Sequence, residues 1–366
     1  MTQGDTMTAP SNAQYRTIVV GAGPAGILAA IHAAHTGPVL LVDQRSLPRS
    51  KSCGGMLHEL SIETLRPYGQ VPESIVVSPR TVWFRYHDWD RGIRKATDVK
   101  FLNVSRSGFD EWLLGLLPAG VELRARATLT ALSQSAEGVS ATIRTADGEH
   151  VVAADVLIGA DGARSQVRRC LGLRDSASYV TIQDFVRLRG PLEPYFDCIY
   201  MRGIGEDLAY SYVIPKGDAA VIGSVFHPHT KRAHEKQSRI VDELRERLPQ
   251  LGDREDRESA PALYLRSPAD ILPGLGRVLL AGEAGGFMSP SSGEGISYAL
   301  RTGRDAGLAA AGEPSQALAR YLASTTRMRA DLARRFRWLP FMESRAGKFL
   351  AGFVPAPIVS KVTQGL

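Results

Sequence analysis

The chain has 366 residues, a length that suits one large domain or two interleaved domains. Its hydrophobic fraction of 44% and charged fraction of 22% are near the globular average, which excludes intrinsic disorder and a coiled coil. Glycine is frequent, at 36 residues, and the formal net charge is +6. The basic excess suits an anionic cofactor, an anionic lipid surface or nucleic acid, and does not choose among them.

The three cysteines, Cys53, Cys170 and Cys198, are too few and too widely spaced for a disulfide framework or a paired-cysteine metal site. We therefore expect a reducing, cytoplasmic location and no metal. Residues 1–14 lack the apolar core of a secretory signal, so we expect a flexible tail there. No uninterrupted apolar run approaches the ~18 residues that a membrane span needs.

The first predicted element is a strand–turn–helix–strand unit. The β-branched run 17–20 predicts a strand, 27–35 has a helical pattern, and 39–42 predicts a second strand that ends at Asp43. The intervening turn reads Gly21-Ala22-Gly23-Pro24-Ala25-Gly26. This arrangement is typical of a dinucleotide-binding unit.

A steric requirement explains each glycine of that turn. Gly21 permits the tight turn, Gly23 lets the backbone approach a pyrophosphate, and Gly26 allows the helix to pack closely on the strand. Pro24 and Ala25 begin the helix, whose N-terminus attracts phosphates. A carboxylate at Asp43 can accept hydrogen bonds from an adenosine ribose, and Gln44 beside it completes this predicted cofactor site.

Later elements alternate between buried strands and antiparallel segments. Alternation at 82–86 predicts a strand of an antiparallel sheet, and 121–152 predicts short strands with a turn at 146–149. Buried strands are predicted at 155–158 and 276–280, further strands at 179–188, 198–202, 208–214 and 219–226, and helices at 231–251, 295–308 and 314–338.

The order of these elements predicts an α/β fold built from interleaved domains. We expect a discontinuous dinucleotide-binding domain over 15–75, 100–172 and 272–326. A substrate domain over 76–99 and 173–271 is expected to be inserted as an antiparallel sheet, and 327–366 to form a C-terminal helical segment.

Two further glycine motifs indicate which dinucleotide is bound. The stretch 158–168, with Asp161 and Gly162, resembles the Asp-Gly motif of flavoprotein monooxygenases and their relatives. Residues 274–286, with Gly282 and Glu283, resemble the second FAD fingerprint of that superfamily, in which a carboxylate accepts a hydrogen bond from the ribityl chain. The usual Asp of the fingerprint is Glu283 in this sequence.

The resemblance implies a glutathione-reductase-like FAD domain of the para-hydroxybenzoate hydroxylase type, with FAD as the resident dinucleotide. Any NAD(P)H would then dock only transiently as an electron donor, because the sequence contains no second Gly-x-Gly-x-x-Gly motif.

Three stretches resemble geranylgeranyl reductases over roughly residues 15–310. Lys51-Ser52-Cys53-Gly54-Gly55 is similar to their Lys-x-Cys-Gly-Gly segment, which implies that Cys53 and Gly54 lie near the flavin. Residues 106–113 match their Arg-x-x-Phe-Asp-x-x-Leu block, which implies the same for Arg106. Residues 287–296 resemble their loop beside the isoalloxazine ring, which implies FAD-binding roles for Pro290, Gly293, Gly295 and Ile296.

The block Tyr210-x-Tyr212-x-Ile214-Pro215 is intermediate between the Tyr-x-Trp-x-Phe-Pro block of the reductases and the Trp-x-Trp-x-Ile-Pro block of flavin-dependent halogenases. Tyr210 and Tyr212 point to one face of the predicted strand, where they either line a substrate cavity or belong to the core. Cys53 is either a flavin-side residue, with or without a chemical role, or a small buried hydrophobic residue. Lys51 is either a halogenase-like lysine or a solvated loop charge.

Residues 327–357 carry seven basic residues against two acidic ones, interleaved with apolar and aromatic residues. This segment is either a basic amphipathic helix on an anionic membrane or a helix pair that covers the substrate domain. Binding of nucleic acid is not expected, because no recognised module is present.

Three functions follow from the sequence. The favoured one is FAD-dependent reduction of a carbon–carbon double bond in an apolar, isoprenoid-like substrate. The second is a flavin-dependent monooxygenase, a hydroxylase or halogenase, that acts on an aromatic metabolite, and the third is flavin binding without turnover. Cys53, Tyr210 and Tyr212 are the candidates for catalysis and for the substrate cavity, and no oligomeric state is predicted.

Overall fold

The computed structural model describes residues 15–49, 51–174, 177–201, 207–337 and 339–344. The predicted tail over 1–14, and the predicted C-terminal segment beyond residue 344, lie outside these residues. Within them no helix is long and apolar enough to cross a membrane.

The strands of the described chain form two eight-stranded sheets. They are β1 (Tyr15–Val20), β2 (Val39–Asp43), β3 (Met56–Leu57), β4 (Val76–Asp88), β5 (Ile93–Val104), β6 (Val121–Ala125), β7 (Thr128–Gln134), β8 (Val139–Thr145), β9 (Gly148–Gly159), β10 (Ala177–Leu188), β11 (Tyr195–Tyr200), β12 (Leu208–Lys216), β13 (Ala219–Phe226), β14 (Leu251–Tyr264), β15 (Gly274–Leu275) and β16 (Val278–Leu280).

The helices connect and cover these sheets. They are α1 (Pro24–Ala33), α2 (Glu59–Leu65), α3 (Arg106–Leu114), α4 (Gln166–Cys170), α5 (Ala233–Arg247), α6 (Ile296–Ala311), α7 (Ala317–Ser324), α8 (Thr326–Phe336) and α9 (Leu339–Glu343).

Five parallel strands form the centre of the first sheet, in the order β16-β9-β1-β2-β6, and β7, β8 and β9 form an antiparallel meander at its side. The central strands are apolar on both faces because both faces are covered. In β1, for example, Val19 belongs to the core beneath α1 and α6, whereas Ile18 belongs to the core beneath the meander.

Helices α1 and α6 approach each other closely because glycine removes the side chains from their contact. A side-chain carbon at Gly303 would lie 2.1 Å from the carbonyl oxygen of Ala25, and one at Gly307 would lie 2.4 Å from that of Ala29. The contact therefore packs the start of α1 against the middle of α6.

The second sheet has the order β14-β10-β13-β12-β11-β4-β5-β3, in which only the β11–β4 pair is parallel. Helix α5 covers its outer face, where Ile240 and Leu244 pack in one core with Ile182 and Phe226. The inner face of the sheet carries side chains that line a cavity described below.

An edge strand and the C-terminal helices show how the structure differs from the sequence-based prediction. The charged stretch 253–258 does not predict a strand, yet it lies in β14, an edge strand, where charged side chains can remain in water. The single helix predicted over 314–338 is broken into α7 and α8 at Thr325, whose hydroxyl donates to the carbonyl of Tyr321.

The predicted fold class, α/β with an antiparallel second sheet, is confirmed by this architecture. Strand β5 continues to Val104, past the predicted domain boundary between residues 99 and 100, and β3 belongs to the same sheet. The division of the chain into domains stays a prediction.

Candidate functional site

A cavity of about 1590 Å³ is lined by residues from both sheets. Each of the predicted site residues except Gly26 lies in its wall. They are Gly21, Gly23, Pro24, Ala25, Asp43, Gln44, Cys53, Gly54, Arg106, Asp161, Gly162, Tyr210, Tyr212, Gly282, Glu283, Pro290, Gly293, Gly295 and Ile296. Gly26 lies behind the wall, where a side-chain carbon would be 1.7 Å from the carbonyl oxygen of Gly21.

The turn between β1 and α1 opens onto this cavity. Gly21 has a φ of 103°, and a side-chain carbon there would lie 2.4 Å from the carbonyl oxygen of Ala160. Gly23, the residue before α1, has no capping side chain, and a side-chain carbon there would meet only the Arg49 guanidinium, at 3.5 Å. The free N–H groups of the first helical turn therefore fit an anion such as a pyrophosphate.

Asp43 ends β2 beside this turn and is almost fully buried. Its carboxylate accepts the N–H groups of Ala22 and Arg45, both at 2.9 Å, and the Arg49 guanidinium lies 3.7 Å away. These contacts fix the carboxylate at the cavity wall. The predicted contact with a ribose stays a prediction.

Asp161 holds the Asp-Gly turn in shape. Its carboxylate accepts the Ser165 hydroxyl at 2.6 Å and the N–H groups of Gln166 and Val167 at 2.6 and 3.1 Å, which ties the turn to the start of α4. Burial raises the pKa of this carboxyl, although the hydrogen bonds oppose the shift. Gly162, with a φ of 81°, follows it and leaves open space at the cavity.

Glu283 connects three segments of the chain. One carboxylate oxygen lies 3.3 Å from the Lys51 ammonium, and the other accepts the N–H of Leu263 on β14, also at 3.3 Å. Lys51 is therefore not simply a solvated loop charge, since it forms an ion pair at the cavity wall. The predicted ribityl contact of Glu283 stays a prediction, and both of its oxygens already have protein partners.

The loop before α6 forms another part of the wall. Glu294 accepts the N–H and the hydroxyl of Ser297, both at 2.8 Å, and Gly295 precedes the helix without a capping side chain. The N-terminus of α6 thus lies at the cavity, with the Glu294 carboxylate bound to an N–H of its first turn. Gly293 has a φ of 68°, and a side-chain carbon there would lie 3.0 Å from the Tyr210 hydroxyl.

Cys53 lies beside a buried cation. The Arg106 guanidinium forms a forked ion pair with Asp110, with N–O distances of 2.9 to 3.1 Å, and also interacts with the Cys53 side chain. Burial opposes the charge on Arg106, but Asp110 and Cys53 outweigh it and raise its pKa. The guanidinium therefore stays positive next to the thiol.

The inner face of the second sheet is rich in aromatic rings, and Tyr212 lies flat on it. Gly223 is the cross-strand neighbour of Tyr212, and a side-chain carbon there would lie 2.0 Å from the Tyr212 ring. The Tyr212 hydroxyl accepts a hydrogen bond at 2.5 Å from Gln183, one strand further on. Tyr210 contacts Tyr212 at a ring distance of 6.3 Å, and burial raises the pKa of both phenols.

Lys216 is a half-buried residue that the sequence did not single out. Its ammonium donates to Asn103 Oδ1 at 2.5 Å and to the carbonyls of Val104 and Gly55 at 2.9 and 3.3 Å. It therefore ties the loop that carries Cys53 to the second sheet. Burial lowers its pKa to about 7. No local pattern marks it, because these partners are distant in sequence.

A family model described as an FAD-binding domain matches residues 14–336. The chain belongs to this family. It is an FAD-dependent oxidoreductase with FAD as its cofactor, as predicted. The uncapped start of α1, opening on the cavity beside the buried Asp43, fits this cofactor.

Two curated relatives are similar along most of the chain. Protein CbrA of Escherichia coli O9:H4 (strain HS) is 27% identical over 320 residues, which cover 86% of each chain. Protein CbrA of Shigella sonnei (strain Ss046) is 28% identical over 288 residues, which cover 77% of this chain and 80% of the relative.

Three solved structures share the fold. A geranylgeranyl bacteriochlorophyll reductase-like protein from Thermoplasma acidophilum has a TM-score of 0.78 at 21% identity and covers 96% of this chain and 91% of its own. The flavin-dependent brominase Bmp2 has a TM-score of 0.75 at 19% identity, with coverages of 96% and 93%. OxyS anhydrotetracycline hydroxylase from Streptomyces rimosus has a TM-score of 0.67 at 22% identity, with coverages of 96% and 76%. The resemblance to this flavoprotein superfamily is thus confirmed.

Proposed function

We propose that this protein reduces a carbon–carbon double bond of a small apolar substrate of the isoprenoid type. The observation that carries the proposal is the position of Cys53. It lies in the same cavity wall as the glycine turn of the FAD site and the aromatic inner face of the second sheet. A substrate bound on that face would share the cavity with the Cys53 thiol.

FAD supplies the hydride for such a reduction when it is bound. The residues of the chain bind and orient it: the turn at Gly23 would hold the pyrophosphate and Asp43 the ribose. The loop with Gly293 and Gly295 would lie beside the opposite end of the cofactor, at the start of α6.

Reduction of a double bond adds a hydride to one carbon and a proton to the other. In this proposal Cys53 donates the proton from Sγ to the second carbon, and water then returns a proton to the sulfur. The Arg106 guanidinium stabilises the negative charge that remains on the sulfur between these steps. Tyr210 and Tyr212 are poorer proton donors, because burial raises the pKa of each phenol.

Each turnover consumes one hydride, that is two electrons and a proton, and one further proton, so a donor must reduce the flavin again. We propose NAD(P)H as that donor. It would dock transiently, in line with the single Gly-x-Gly-x-x-Gly motif of the sequence.

The proposal is tested with the purified holoprotein, reduced without oxygen and mixed with farnesol. We expect the flavin absorbance to return in stoichiometric amounts as the alkene is reduced. Cys53→Ala should slow this step about a hundredfold or more, the usual contribution of a general acid, without loss of flavin. Cys170→Ala is the matched control, because Cys170 lies on α4 outside the cavity wall.

A second candidate is a monooxygenase that acts on an aromatic metabolite. The flat Tyr212 ring favours it, since a planar substrate could stack there, and the solved structures of similar fold include a hydroxylase and a brominase. Suppose that the reduced protein does not react with farnesol but its flavin gives a long-lived absorbance that depends on oxygen. That result would support the monooxygenase and contradict the proposed reductase activity.

A further inference from the structure

A groove of about 980 Å³ lies between α6 and α8. Most of the polar residues that line it are arginines. Arg301 comes from α6, and Arg327, Arg334 and Arg337 come from α8 and its C-terminal end. The last three are exposed and recur at helical spacing, so they form a row on one side of α8. Asp331 is the acidic residue of the groove lining.

The positive charge of this groove is largely unneutralised. Among the residues that the structure describes, Arg301, Arg327 and Arg337 form no ion pair. Arg334 lies 3.2 Å from Asp331, but its side chain is 70% exposed, and Asp331 also pairs with Arg335. Four arginines against one aspartate in its lining leave the groove with a net positive charge.

The apolar residues of α8 pack inside the protein. Met328, Leu332 and Phe336 are buried in the core beneath α6, so α8 cannot insert these residues into a bilayer. Phe341 on α9 is different, since it is 46% exposed and also belongs to the wall of the large cavity. A cluster of exposed basic residues on a helix, followed along the chain by an exposed aromatic residue, is typical of a surface that binds an anionic membrane.

We propose that Arg301, Arg327, Arg334, Arg337 and Phe341 form a docking surface for an anionic phospholipid membrane. Charge complementarity carries the proposal, because arginines near an anionic leaflet each strengthen association about fivefold. Phe341 follows Arg337 by four residues and lies in the wall of the large cavity, so in this proposal docking brings the cavity wall at α9 to the lipid. An apolar substrate dissolved in the bilayer then reaches the cavity without crossing water.

The experiment uses the full-length holoprotein and sedimentation with lipid vesicles. Vesicles of phosphatidylcholine alone are compared with vesicles that also contain phosphatidylserine. We expect binding to the second kind only, weakened by salt. The double variant Arg327→Gln/Arg337→Gln should bind about 25-fold more weakly, the product of two arginine contributions.

The matched control is Arg144→Gln/Arg239→Gln, which removes the same charge from exposed positions on β8 and α5 and should bind as the original protein does. Failure of the original protein to sediment with phosphatidylserine vesicles would overturn the proposal. The proposal would also be overturned if both double variants bound the vesicles equally weakly, or if the protein bound duplex DNA more tightly than the vesicles. The measurement needs no turnover, so its result is independent of the proposed reductase activity.

Discussion

Gly223 determines the position of the Tyr212 ring. Any side chain at position 223 would occupy the space in which the ring lies, 2.0 Å from its nearest atom. The absence of a side chain lets Tyr212 reach across β13 to Gln183, so that the ring forms a flat floor of the cavity.

Gly223→Ala should therefore lower the free energy of unfolding by about 1–3 kcal/mol, the usual cost of overpacking. Urea unfolding measures this loss. Gly190→Ala is the control, because a side-chain carbon there meets only Gln250 at an ordinary 3.8 Å. In the double variant Tyr212→Ala/Gly223→Ala most of the loss attributable to Gly223→Ala should vanish, and a loss that persists there would contradict the assigned clash.

Lys216 makes stability depend on pH. Its pKa falls from 10.5 to about 7 on folding because the ammonium is buried. Between these two values the unfolded chain binds more protons than the folded chain, so a rise in pH favours folding across this window.

The free energy of unfolding, compared with that of Lys216→Met, should therefore rise by up to ~1.4 kcal/mol per pH unit between pH 7 and 10. Urea unfolding of both proteins over this range checks the slope, with exposed Lys100→Met as the control. A difference that stays constant or falls with rising pH would show that Lys216 is not an amine with a lowered pKa.

At the scale of elements, the α1–α6 contact brings two helix N-termini to one cavity. The contact depends on Gly303, where a side-chain carbon would strike the backbone of α1 rather than a flexible side chain. Backbone cannot move aside cheaply, so the two helices would have to separate.

Gly303→Ala should destabilise the protein by about 1–3 kcal/mol and weaken FAD retention, because the start of α1 is pushed away from α6. Thermal unfolding and the flavin content after gel filtration measure the two effects. Gly120→Ala is the control, since no atom lies within 4 Å of a side-chain carbon there. Unchanged stability and flavin content in Gly303→Ala would contradict the role given to this contact.

The elements that the sequence predicts well are those whose chemistry is local. The turn at Gly21–Gly26 and the carboxylate at Asp43 lie within one strand–helix–strand unit, so their spacing alone predicts a dinucleotide site. Strand β14 is not predicted, because its charged residues are acceptable only at a sheet edge. The partners of Tyr212 and Lys216 are likewise set by strand pairing, which a single sequence does not reveal.

At the scale of the molecule, one side chain joins the first sheet to the second, and another joins the second sheet to the loop before β3. Glu283, after β16, binds Lys51 and the backbone of Leu263, and Lys216 binds the loop that carries Cys53. The cavity is therefore a product of the whole fold. Its wall includes the motifs that the sequence identified separately, because the two sheets face each other there.

The central claim is that FAD binds with its pyrophosphate at the start of α1, and Gly23→Ala tests it most directly. A side-chain carbon at Gly23 meets no protein atom closer than 3.5 Å, so the fold should tolerate alanine, whereas the cofactor phosphates need that space. The measurement is the flavin content of the purified variant alongside its circular dichroism. We predict a folded protein that retains no FAD, and a folded variant that still holds a full complement of FAD would contradict the account.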